Sequence, residues 1–283
     1  MPLIVSGDGE EAGHVVGKGF DCVVREFFDK VLVNEVVEGD VKTSRPEDTA
    51  SSGALGAKGN AVGGVAFIIF VGVEAWGHRS IEGGEVVVGL GPDGVDTIED
   101  YVLHYMDLFD RLGLDTLDLA GFSLGAWIAA EFAIRQPDRV RRLVLIGPAG
   151  LVDAEVPAPD LFQIAPPELP SYLAHDPAAA LRYFPSAPDP AFDAALGREI
   201  GSLAKLVAAN PQGNPKLARW IHRLTMPTLL LWGAEDRLRP TGQSRTWLKL
   251  LPDARLERVE ATGHLVLEET PASARLVTDF LAG

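Results

Sequence analysis

Apolar residues fall along this chain in two rhythms. From Thr97 the segment TIEDYVLHYMDLFDRLGL carries Ile98, Tyr101, Val102, Tyr105, Leu108, Phe109 and Leu112 at helical spacing. Thr97 stands where an N-cap is expected, with Asp100 three places on, and Gly113 ends the run. Elsewhere apolar residues gather in short runs: TLDLAG (116–121), RRLVLIG (141–147) and TLLLWG (228–233), with the more mixed ARLERVE (254–260), predict strands. LGAWIAAEFAIRQ (124–136) predicts a helix ended by Pro137, and PASARLVTDFLAG a closing helix. Continuous apolar strands separated by helices predict an α/β protein, with a mostly parallel β-sheet covered by helices on both faces. The core of that sheet is expected over residues 96–147 and 227–283.

Between Pro148 and Met226 this alternation stops, and nine prolines from Pro157 to Pro190 punctuate the chain. Short helices joined by proline turns, inserted into the sheet domain over residues 148–226, fit that pattern. Phe162, Tyr172, Leu173, Tyr183, Phe184 and Trp220 are its candidates for lining a pocket, against the plainer role of packing a small local core.

Residues 1–95 use a different aliphatic vocabulary, with 18 valines and 4 leucines against 9 and 31 in residues 96–283. They also hold 18 of the 30 glycines but only 3 of the 20 prolines. Such a break fits either a segment of separate origin or a stretch upstream of about Pro92 that is read in another frame. This anomalous N-terminal segment is nevertheless expected to supply the leading strands. VAFIIFVGVEAWG (65–77) is the best candidate, and VVVGLGPDG (86–94) imitates a later strand and turn or else a glycine-rich connector.

Composition narrows the function. The 283 residues, 47% hydrophobic and 23% charged, suit one large soluble domain with an insertion. A net charge of −15 opposes a nucleic-acid partner. The lone Cys22 allows no internal disulfide, and MPLIVSGDGEE has no signal-peptide pattern. The run from Ala61 to Val73 is too short and glycine-rich to cross a bilayer, so a cytoplasmic protein without a membrane partner is expected. Neither composition nor motif bears on the oligomeric state.

The chemistry gathers around LAGFSLGAW (119–127), where one serine sits between Gly121 and Gly125 at a strand-to-helix junction. Gly-x-Ser-x-Gly in that setting is a nucleophile elbow: the serine occupies a strained turn, and glycines flank it because side chains there would collide with strand and helix. The turn presents Ser123 at the carboxyl end of the sheet, with the backbone N–H of Leu124 as one oxyanion donor. A serine needs a base, and the base a carboxylate. Of six histidines, His104 falls inside a predicted helix, His175 and His222 within the insertion, and His14 and His78 in the anomalous segment. His264, in EATGHLVLEETP, follows the last strand at the same carboxyl edge as Ser123. For the acid, Glu235 and Asp236 both follow the strand TLLLWG.

From about Asp93 onward the sequence resembles the α/β-hydrolase fold superfamily, in its lid-bearing serine-hydrolase branch. GFSLG looks like its elbow, WGAEDRLRP like its acid loop with the aspartate at Asp236, and TGHLVLEETP like its histidine loop. The order Ser123, Asp236, His264 matches that superfamily. The resemblance implies a helical lid over 148–226, no cofactor and no metal, and a small-molecule acyl substrate cleaved through an acyl-enzyme. Carbon–carbon hydrolysis and perhydrolase chemistry use the same triad in relatives, whereas a serine elbow argues against haloalkane-dehalogenase and epoxide-hydrolase mechanisms. Val71-Gly72 stands where relatives have His-Gly before the second oxyanion donor. The alternative expectation is therefore a non-catalytic binding protein of this fold, lacking a complete oxyanion hole.

Overall fold

A computed structural model describes residues 64–69, 77–81, 84–88, 95–111 and 114–283. Among them seven strands form one sheet: β1 (Gly64–Ile69), β2 (Gly77–Ile81), β3 (Gly84–Val88), β4 (Leu117–Phe122), β5 (Val140–Ile146), β6 (Thr228–Gly233) and β7 (Ala254–Val259). Their order is β2-β3-β1-β4-β5-β6-β7, and only the β2–β3 pairing is antiparallel. The chain passes from β1 to β3 on one side and then returns to β4 on the other. The order reverses there, and open α/β sheets bind ligands at the carboxyl ends of such strands. Register aligns these ends, with Ile69 opposite Phe122, Phe122 opposite Ile146, and Gly233 opposite Val259.

Period-two alternation in the central strands feeds two cores. Leu117, Leu119, Leu143, Leu145, Leu230 and Trp232 enter one cluster, while Ala120, Val144, Ile146, Leu229 and Leu231 enter the other. The first is covered by α1 (Ile98–Arg111), α2 (Leu124–Arg135) and α6 (Ser244–Leu250), the second by α7 (Val266–Glu269) and α8 (Ala274–Ala282). Two apolar faces need two helical layers, which is why these strands read as continuous apolar runs. Helix α1 opens as its sequence predicts: Thr97 N–H donates to Asp100 Oδ2 at 3.0 Å and Asp100 N–H to Thr97 Oγ1 at 3.1 Å. Leu112 and Gly113, where the sequence predicts the helix to stop, lie outside the described residues. Helix α2 is buried from Leu124 to Ile134, Glu131 included. That carboxylate is satisfied by Arg135 at 2.6 Å, Asn214 at 2.8 Å and the Trp127 indole at 3.4 Å.

Residues 148–226 carry α3 (Leu169–Leu173), α4 (Pro177–Leu181) and α5 (Pro190–Val207). Asp176 caps α4 by accepting from Ala178 N–H, and Pro177 fills its first helical position. The insertion is pinned at both ends, where Leu151 bridges Asn214 and Asn214 reaches Glu131 of α2. Two elements form where the sequence reading predicts none: β2, at Gly77–Ile81, and α6, at Ser244–Leu250. The Val71-Gly72 pair lies outside the described residues.

Candidate active site

Ser123 lies between β4 and α2 with φ 51° and ψ −113°, a conformation costing a non-glycine residue about 1–3 kcal/mol. The surroundings over-determine it. Ser123 N–H donates to Ile146 O at 2.8 Å, and Ser123 O accepts from Ala149 at 3.0 Å and from Ala126 and Trp127 at 3.2 Å each. Gly121 is required sterically: a Cβ there would stand 2.5 Å from Gly125 O and 2.7 Å from Ala126 Cα. Leu124 N–H is the first of α2, among the donors a helix start leaves without intrahelical acceptors.

Three side chains from three loops meet at this edge. His264 Nε2 is 2.9 Å from Ser123 Oγ, and His264 Nδ1 is 2.8 Å from Asp236 Oδ2. A carboxylate can only accept, so Nδ1 carries the proton toward Asp236 and the Nε2 lone pair faces the serine hydroxyl. His264 is 2% exposed and Asp236 4%, so water competes little for either bond. The Phe122 ring packs on the imidazole, with centroids 4.9 Å apart. Asp236 Oδ1 accepts from Leu238 N–H at 3.0 Å and Arg239 N–H at 2.7 Å. Burial lowers the pKa of the Arg239 guanidinium, and Asp236 opposes that shift. The two N–H groups fix the orientation of the Asp236 carboxylate beside the imidazole.

The neighbouring acids part company. Asp236 N–H donates to Gly233 O at 3.3 Å, and this tight turn sends the two side chains different ways. Glu235 Oε2 accepts from Thr262 N–H at 3.0 Å, while Glu235 N–H donates to Thr262 O at 3.0 Å. Glu235 thus fastens the acid loop to the histidine loop and leaves the imidazole to Asp236. Burial raises the pKa of the Glu268 carboxyl, with the charges of His264 and Arg182 pulling it back, although the residue as a whole is half-exposed.

Sequence reasoning missed Gly147. It follows β5 with φ 47°, and a Cβ there would stand 3.2 Å from His264 Nδ1 and 3.4 Å from Asp236 Oδ2. A glycine at a strand's carboxyl end was the available signal. His104 lies in α1, and burial with the charge of Arg111 lowers its pKa. His175 and His222 lie in the insertion. Of the pocket candidates, Phe162 and Trp220 are exposed, Tyr172 lies under the Arg237 guanidinium at 4.5 Å, and Phe184 packs on Phe192 at 5.9 Å. A cleft of about 550 Å³ opens beside the acid loop, lined by Ser171, Ala174, His175, Pro177, Glu235, Asp236 and Arg237. Among the described residues no group of three or more His, Cys, Asp or Glu could hold a metal ion, and no helix is long and apolar enough to cross a membrane.

A hydroxyl, an imidazole and a carboxylate thus stand in hydrogen-bonded series at the carboxyl edge of the sheet. The model of the Alpha/beta hydrolase family matches residues 63–274, and the chain is an enzyme of that family. The match begins 30 residues upstream of Asp93, from where the sequence resemblance runs, and takes in β1, β2 and β3. The chain is 32% identical over 233 residues to a 2-hydroxy-6-oxo-2,4-heptadienoate hydrolase of Pseudomonas putida, covering 72% of this chain and 79% of that protein. It is 33% identical to a 2-hydroxymuconate semialdehyde hydrolase of Pseudomonas putida, over 67% and 71% of the two chains. In fold it is similar to the crystal structure of the 2-hydroxy-6-oxo-6-phenylhexa-2,4-dienoate hydrolase of Rhodococcus sp. strain RHA1. That superposition has a TM-score of 0.59 at 20% identity and covers 78% of this chain and 91% of the other.

Proposed function

We propose that this enzyme is a serine hydrolase that attacks the carbonyl of a small molecule and cleaves an ester or related acyl bond. The observation that carries the reading is the continuous chain Ser123 Oγ–His264–Asp236 at 2.9 and 2.8 Å. Ser123 Oγ adds to the carbonyl carbon as its proton passes to His264 Nε2. The imidazolium so formed is stabilised by Asp236 through Nδ1–H. The oxyanion takes a hydrogen bond from Leu124 N–H at the positive end of α2. His264 returns the proton to the leaving group, and water, activated by the same imidazole, releases the acid from the acyl-enzyme. In this reading residues 148–226 are the lid, and no cofactor takes part.

A second reading places the scissile bond between carbon atoms beside a ketone, in a 2-hydroxy-6-oxo dienoate. The names of the two Pseudomonas putida relatives favour it, and the relay would act in the same way. The experiment compares kcat/KM for p-nitrophenyl esters of increasing chain length with that for 2-hydroxy-6-oxo-2,4-heptadienoate, followed by loss of its conjugated absorbance. Faster ester cleavage supports the first reading and faster dienoate cleavage the second. Folded protein that turns over neither, and whose Ser123 resists a fluorophosphonate, is the binding protein without a working oxyanion hole.

A further inference from the structure

One carboxylate outside the Ser123–His264–Asp236 chain holds the histidine loop in place. Glu269 closes α7, five residues beyond His264. Its Oε2 accepts from Gly263 N–H at 2.5 Å and from His175 N–H at 3.0 Å, and its Oε1 accepts from Asp176 N–H at 2.9 Å. One donor belongs to the residue before His264 and two belong to the junction of α3 and α4 in the insertion. The residue after His264 is fastened to the same place, because Leu265 N–H donates to Leu173 O at 2.9 Å. The packing leaves no slack, since a Cβ on Gly263 would stand 2.6 Å from His175 N and 2.7 Å from Ala174 C. Arg182, just past the end of α4, adds a further tie, its Nη2 donating to Glu268 O at 2.7 Å.

We propose that Glu269 is a positioning residue that couples the insertion to the imidazole, so that where residues 173–176 sit sets how His264 meets Ser123. The inference rests on the serine-hydrolase reading. Its physical basis is acceptor capacity: a carboxylate accepts on both oxygens and strengthens each bond with its charge. An amide of the same shape turns one of those oxygens into a donor, which then faces a backbone N–H. Gly263, His175 and Asp176 lose part of their common anchor, and the loop carrying His264 shifts against Ser123 although the Leu265–Leu173 bond remains. Displacement of the insertion by an incoming substrate would, through the same carboxylate, move the base.

The test compares Glu269→Gln, Glu269→Asp and Ser123→Ala with wild type in p-nitrophenyl ester turnover, in the rate of fluorophosphonate labelling, and in thermal melts. Glu269→Gln is expected to lower both kcat and the labelling rate by about 10- to 100-fold, the size of a misplacement of about 1 Å. KM should stay within about threefold, and Glu269→Asp should recover part of the loss. A Glu269→Gln protein whose kcat and labelling rate remain within about twofold of wild type while its melting temperature falls would overturn the proposal, since the residue then holds only the fold. Should Glu269→Gln not melt cooperatively, Glu269→Asp is judged by the same two rates. Ser123→Ala separates the two claims. Its inactivity beside an unaffected Glu269→Gln refutes the coupling alone, whereas wild-type turnover by Ser123→Ala overturns the serine reading and the coupling with it.

Discussion

Replacing Gly121 by alanine tests the elbow at its tightest point. The added Cβ would stand 2.5 Å from Gly125 O, 2.6 Å from Gly125 C and 2.7 Å from Ala126 Cα, all of them backbone atoms. Comfortable contacts between such atoms begin near about 3.5 Å, so the first turn of α2 has to retreat by roughly 0.8–1 Å. It has nowhere to go, because α2 is buried from Leu124 to Ile134. Overpacking of this kind costs about 1–3 kcal/mol, which lowers the melting temperature by roughly 2–12 °C. The retreat also carries Leu124 N–H and Ser123 away from His264, and a misplacement near 1 Å costs about 100-fold in rate. Circular-dichroism melts and p-nitrophenyl ester turnover read the two effects separately. A Gly121→Ala enzyme that melts and turns over like wild type would refute the steric account of the elbow.

Asp236→Asn keeps the shape but lets the imidazole adopt the wrong tautomer, and turnover should fall by about 10,000-fold, whereas Glu235→Gln should lose stability with a rate change under about tenfold. The reverse ranking of the two variants in ester turnover would make Glu235 the acid. Asp153 gives a pH-dependent test. Burial pushes its carboxyl upward, yet the Thr246 hydroxyl at 2.5 Å and the N–H groups of Val156 and Glu155 outweigh it and hold it below the ordinary value of 3.8. A lowered folded pKa adds stability that is present above the unfolded value and lost as pH falls through the folded one. Asp153→Asn should therefore melt lower than wild type at pH 7, by about 1 kcal/mol, with the two curves converging below about pH 4. A gap that persists undiminished to pH 3 would contradict it.

The parts of this molecule that sequence reveals are those fixed by local rules. β6 matches its apolar run residue for residue, and α2 starts at Leu124 and stops before Pro137, because a buried strand and a proline stop are written in consecutive residues. Ser123 and His264 are legible for the same reason, each sitting in a loop that must fall at the sheet's carboxyl edge. Local rules cannot choose between Glu235 and Asp236. The choice is made by the turn onto Gly233 O and by Thr262, which arrives from another loop. Gly147 is hidden because its nearness to His264 depends on β5 lying between β4 and β6. Helix α7 has four residues, too few to form alone, and is held by tertiary contacts such as those of Glu269, whose partners His175 and Asp176 lie more than 90 residues away in the chain.

The most direct measurement is the mass of the folded protein after exposure to a fluorophosphonate, with the modified peptide sequenced. One adduct per chain on Ser123, absent from Ser123→Ala and formed far more slowly in Asp236→Asn, is what a working proton relay through His264 gives. An adduct on another residue, or an unmodified Ser123 in protein that melts cooperatively, would contradict it.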